Sequence, residues 1–230
     1  MKKSDLVAIC CSLAVVLAFA LCSDLSEGFA QATAAHPFGM SFVKFAILSC
    51  FGEMIGLRIR KGVYWEKGFG VLPRMVIWGL LGMLICGAFI VFKAGTVALY
   101  GVLGCPEAAE WFAAGAPLSW GKVLVALSVS ILCNTFFAPV FMTFHKISDI
   151  HIRNTGGSLS GYFGTMMPVK KIITSLDWET QWNFVFKKTI PLFWYPAHTL
   201  TFLLPAGLQM LFAALLGVAL GIILAVANNK

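Results

Sequence analysis

This chain of 230 residues is 59% hydrophobic and only 12% charged, with a mean hydropathy of +0.86. Soluble domains carry about 25% charged residues, so the composition excludes an ordinary soluble enzyme and points to a single helical membrane bundle over residues 1–230. A net charge of +7 would suggest nucleic acid in a soluble protein. Here basic residues cluster on alternate sides of apolar runs, so orientation in a membrane accounts for the charge and nucleic acid is not an expected partner.

Six apolar runs follow in chain order, near 6–22, 42–57, 75–92, 123–144, 189–204 and 208–227. The first, Leu6–Cys22, comes after Lys2 and Lys3. It also reads as a signal peptide, with Ala18-Phe19-Ala20 as a cleavage site, but its retention as a helix keeps the charge alternation regular. The second, Phe42–Leu57, is slightly shorter than the roughly 20 residues a bilayer requires. Lys44 near its start is expected to anchor at the interface by snorkelling. The third is Met75–Phe92. The fourth, Val123–Phe144, contains Asn134 and Pro139. The fifth, Thr189–Leu204, is interrupted by Pro191 and Pro196 and followed by Pro205; these four prolines are the expected helix kinks. The sixth, Leu208–Ala227, carries no charge. The largest loop, 149–188, is Gly/Ser-rich in its first half. Its second half mixes aromatics with lysines and reads as an interfacial helix near 177–188, capped by Asp177 and leading into the fifth run.

Fourteen of the 17 Lys and Arg residues lie on one side of this pattern: Lys2 and Lys3, the group from Arg58 to Arg74, the group from Lys146 to Lys188, and Lys230. Basic loops resist translocation, so about six crossings with both termini cytoplasmic are expected, in an all-α polytopic bundle.

Lipid supplies no hydrophobic drive between helices, so close contact depends on small residues. Ala213, Gly217, Gly221 and Ala225 recur at four-residue steps, and Gly52 and Gly56 do so on the second run. These are the expected packing faces, either within the bundle or between copies in a homo-oligomer. Glu53, Asn134 and His198 are polar residues inside apolar runs, where burial is costly, so each is a candidate pore residue. The structural alternatives are that Glu53 neutralises Arg60, that Asn134 satisfies backbone freed by Pro139, and that His198 makes an interhelical hydrogen bond. Seven cysteines show no metal or redox spacing; only Cys22 and Cys105 map to the outer side, where a disulfide could form. No phosphate loop, HExxH or nucleophile elbow is present, and the four histidines lack ligand spacing. Neither catalysis, a metal nor a cofactor is therefore expected.

Three motifs resemble those of the 22-kDa peroxisomal membrane protein family and its mitochondrial inner-membrane, Mpv-type relatives. His36-Pro37 followed by Gly52-Glu53 is similar to the family's His-Pro and Gly-Asp opening. Cys133-Asn134 with Ala138-Pro139 resembles its Asp-Gln and Ala-Pro helix. Trp194-Tyr195-Pro196, Thr201-Phe202 and Pro205 resemble its tail signature. The chain departs from the pattern at Cys133, Asn134, Glu53 and Gln209 (where the family has Arg), at the Tyr195 insertion, and in its extra first helix. A mechanism resting on the family's carboxylate has no counterpart at Cys133. The resemblance implies channel activity or metabolite passage without naming a substrate. With no transit peptide visible, the expected location is a bacterial inner membrane. Small-solute permeation is the leading function; assembly through the last-helix stripe is the alternative.

Overall fold

Uninterrupted apolar sequence can satisfy its backbone in lipid only as helix or closed barrel, and the runs fold as helices. The computed structural model describes residues 2–227, with side chains to Ile223. The Ala225 side chain and Lys230 lie outside the described residues. The helices are α1 (Lys3–Leu21), α2 (Ser23–Ala35), α3 (Pro37–Lys61), α4 (Val71–Val102), α5 (Ala108–Trp111), α6 (Trp120–Phe136) and α7 (Ala138–Asn154). Then come α8 (Leu159–Gly164), α9 (Val169–Thr174), α10 (Trp178–Thr180), a π-helix (Gln181–Trp194), α11 (Tyr195–Leu203) and α12 (Ala206–Ala227). No strand occurs among the described residues. Four helices are long and apolar enough to cross a membrane: α1, α3, α4 and α12 (Ala206–Ile223). A fifth is reached if the bent pair α6 and α7 counts as one span.

The fourth run is therefore not one straight helix. It breaks at Phe137, and the two halves diverge by 47°. Pro139, in the first turn of α7, lacks the N–H that would bond to Thr135, and its ring clashes with the preceding turn. The other prolines also mark changes in helix form. Pro191 lies inside the π-helix, Pro196 stands in the first turn of α11, and Pro205 separates α11 from α12. The wider π-helical ladder is visible where Tyr195 N donates to Ile190 O, five residues back; the Thr189 hydroxyl also reaches back five residues, to Phe184 O. The interfacial helix and the fifth run are consequently one continuous helical stretch, Trp178–Leu203. Asp177 caps it by accepting from Thr180 N at 3.0 Å; hydrogen bonds from Thr180 hold the Asp177 carboxyl below the usual carboxylate range.

Small residues set the packing. α3 lies between α4 and α12, and α6 between α4 and α11. A Cβ at Gly82 of α4 would meet Phe45 Cβ at 2.6 Å and the Ser41 carbonyl at 2.7 Å. Gly79 likewise lies under the Phe42 ring. On the other face of α3, Gly52 admits Val218, and Gly221 approaches the Gly52 carbonyl. The α12 stripe is thus engaged by α3, with Ala213 buried and Gly217 beside Ser49. Three glycines in the left-handed region bring loops together: a Cβ on Gly157 would strike the backbone of Gly68 and Gly70. This contact holds the start of α4 against the end of α7.

α1 has no buried residue; it packs on α2 and meets α3 through a bidentate Asp5–Arg58 pair at 2.7 Å. Lys2 Nζ also donates to Gly62 O. Lys44 is not an interface anchor. α2 covers it, leaving it 4% exposed, with Nζ donating to Thr33 Oγ1 at 2.8 Å and lying 4.6 Å over the Phe29 ring. Cys22 and Cys105 are both free thiols.

Gly82→Ala should lower stability in detergent by about 1–3 kcal/mol, because the α3 backbone would have to shift. Gly28→Ala, where a Cβ meets nothing within 4 Å, should be neutral or stabilising. Thermal unfolding of both variants, compared with the parent chain, tests this.

Candidate functional site

Helical spacing aims several polar side chains at one spot. Residues four apart share a helix face. On α3 these are Ser49 and Glu53; on α4, Arg74 and Trp78; on α7, His145, Asp149 and Arg153. The Gly157 contact brings the α4 and α7 faces together, and the close packing at Gly79 and Gly82 adds that of α3.

Arg74 is at the centre, with its side chain 6% exposed. Its guanidinium pairs with Glu53 through Nη1 and with Asp149 through Nη2, while Nε donates to Phe69 O at 2.7 Å. The Phe69 ring lies 4.5 Å from the guanidinium. Glu53 Oε1 accepts from Trp78 Nε1 at 2.7 Å and from His145 Nε2 at 3.2 Å. The Trp78 and His145 rings lie 4.4 Å apart. Asp149 also pairs with Arg153 at 2.9 Å. Each carboxylate therefore faces a cation, as burial in a low dielectric demands.

Deeper in the bundle a second, uncharged cluster joins α6 to α11. Asn134 Nδ2 donates to Ser130 O at 2.8 Å, which fixes the orientation of the amide. Its Oδ1 then accepts from His198 Nδ1 at 3.1 Å. A neutral imidazole with Nδ1 as donor leaves Nε2 as an acceptor, and Nε2 has no partner among the described residues. Ser130 Oγ donates to Tyr195 O at 2.8 Å. The His198 ring is enclosed by Trp194 at 4.9 Å and Phe89 at 5.3 Å. Trp194 Nε1 and Ser49 Oγ are buried without hydrogen-bond partners.

Both clusters border one cavity of about 870 Å³. Its depth is lined by Phe45, Ser49, Phe89, Asn134, Trp194 and His198. Its wall carries Glu53, Arg74, Trp78, His145 and Asp149. Its rim carries Arg60, Lys61, Glu66, Lys67, Lys146 and Arg153. α12 closes one side with Ala213, Gly217 and Gly221.

All three candidate pore residues, Glu53, Asn134 and His198, line this space. Asn134 and His198 are bonded to each other. Glu53 pairs with Arg74 rather than Arg60, whose guanidinium folds back over Gly56. The sequence reading missed Arg74, placed among loop charges, and His145, taken as a helix boundary. Their signal was the four-residue spacing of Arg74 with Trp78 and of His145 with Asp149 and Arg153. The groups that face the cavity offer hydrogen bonding and charge. Compared with family models, curated proteins and solved structures, the chain matches none.

Arg74→Met removes the cation that Glu53 and Asp149 share, leaving Asp149 only the exposed Arg153, and should cost about 3–5 kcal/mol. Arg153→Gln, with a side chain 53% exposed in the parent, should cost less than about 1 kcal/mol. Comparable losses in thermal unfolding would contradict the central role given to Arg74.

Proposed function

We propose that this chain is an integral membrane protein that passes small solutes through the cavity between α3, α4, α6, α7, the π-helix, α11 and α12. The observation that carries the reading is the cavity itself. A space of about 870 Å³ is of the size used for small-molecule sites, about 300–1,000 Å³. Left empty, it forfeits packing that a bundle in lipid depends on. It holds unpartnered polar atoms at Ser49 and Trp194, and its wall includes the break at Phe137, where two half-helices can pivot.

The proposed topology has six crossings with both termini cytoplasmic, the bent α6–α7 pair and the stretch through α11 each counting as one. The Lys2–Gly62 and Asp5–Arg58 contacts support it, because they join the start of α1 to the end of α3. The basic cavity rim would then open to the cytoplasm. The Mpv-type resemblance adds support for permeation, and a bacterial inner membrane is the proposed location.

An interaction protein is the second reading. The observation favouring it is α1, an apolar helix with no buried residue; the α12 stripe is already engaged by α3.

Proteoliposomes holding the purified chain should leak small solutes above the level of empty vesicles. Asn134→Leu and His198→Leu should each reduce that flux several-fold. Unchanged flux in both variants would remove these residues from the path, and no flux from folded protein would overturn the permeation reading.

A further inference from the structure

We propose that the cavity takes an organic anion, with its carboxylate or phosphate at the Arg60, Lys67 and Lys146 rim and an apolar or aromatic body in the depth. This rests on the reading of the cavity as a solute site.

Charge pairing decides the sign. Every carboxylate that lines the cavity already has a cation: Glu53 and Asp149 share Arg74, Asp149 also holds Arg153, and Glu66 holds Lys61 at 2.7 Å. Arg60 and Lys67 have no carboxylate partner among the described residues, Lys146 acts on Asp177 through its charge without an ion pair, and all three cations are exposed at the rim. A mouth with unbalanced positive charge and low-dielectric walls concentrates anions and repels cations.

The depth decides the rest. Phe45, Phe89 and Trp194 supply an aromatic surface, and two polar atoms there are buried without partners. Ser49 Oγ is buried without a hydrogen bond, on a residue only 4% exposed. Trp194 Nε1 is a buried donor without an acceptor. An inorganic ion would fill a small part of the volume. An anionic head on an apolar body matches the basic rim and the aromatic depth. Such chemistry belongs to soluble organic anions and to anionic lipids alike.

The test is calorimetric titration of the full-length protein in an uncharged detergent with three probes of matched body: 1-naphthyl phosphate, 1-naphthol and 1-naphthylmethylammonium. The phosphate should bind at least about tenfold more tightly than the other two, the gain expected from three partly screened charges. The triple variant Arg60→Gln, Lys67→Gln, Lys146→Gln should lose that preference with its helical circular dichroism intact. Equal affinity for the three probes, or a preference for the ammonium, overturns the proposal. Displacement of naphthyl phosphate by dioctanoyl phosphatidic acid, but not by dioctanoylglycerol, assigns the site to anionic lipid; resistance to both assigns it to soluble anions. Anion binding without flux would sink permeation and leave this site standing, whereas flux without charge preference would do the reverse.

Discussion

One buried guanidinium organises this bundle. Arg74 is removed from water and can remain charged only with anions at contact distance. Glu53 of α3 and Asp149 of α7 provide them, and Phe69 O takes the remaining direction. Three helices are thereby tied at one level. Trp78 and His145 complete the coordination of Glu53, so neither carboxylate is left to attract a cation. The charge that remains free is positive and lies at the rim.

The cavity follows from two opposed packing demands. Gly79 and Gly82 let α3 and α4 approach until ring and backbone touch, and Gly52 does the same for α12. Close contact there fixes three walls. The fourth wall cannot close equally well, because Pro139 breaks the α6–α7 pair and Pro191 sits within a π-helix of larger radius. Polar side chains on these irregular elements then face inward, where Asn134 and His198 find each other across 64 residues of sequence.

Much of this was legible in the sequence where the information is one-dimensional. Apolar run length located the helices that became α1, α3, α4 and α12, and four-residue glycine steps identified the face α12 turns to α3. The polar residues Glu53, Asn134 and His198 stood out because charge and amide groups are rare in such runs. Partners were not legible. Arg74 borders a loop already rich in Arg58, Arg60, Lys61 and Lys67, so nothing local marks it as the buried one; only the α3–α4–α7 juxtaposition does. Lys44 misled for the same reason, since its burial depends on α2 folding back over it. The break at Phe137 could have been read from Pro139, but not its 47° angle.

The central claim is that water and solute reach the interior of the bundle from the basic rim. In a chain freed of its native cysteines, Ser49→Cys places a thiol in the cavity depth, and Val129→Cys places one in the packed core outside it. The measurement is their rate of reaction with a small water-soluble thiol reagent in the folded protein. The account predicts rapid modification of the thiol at position 49 and none at position 129 over the same interval. Equal protection of both would mean that the cavity is sealed, and would contradict it.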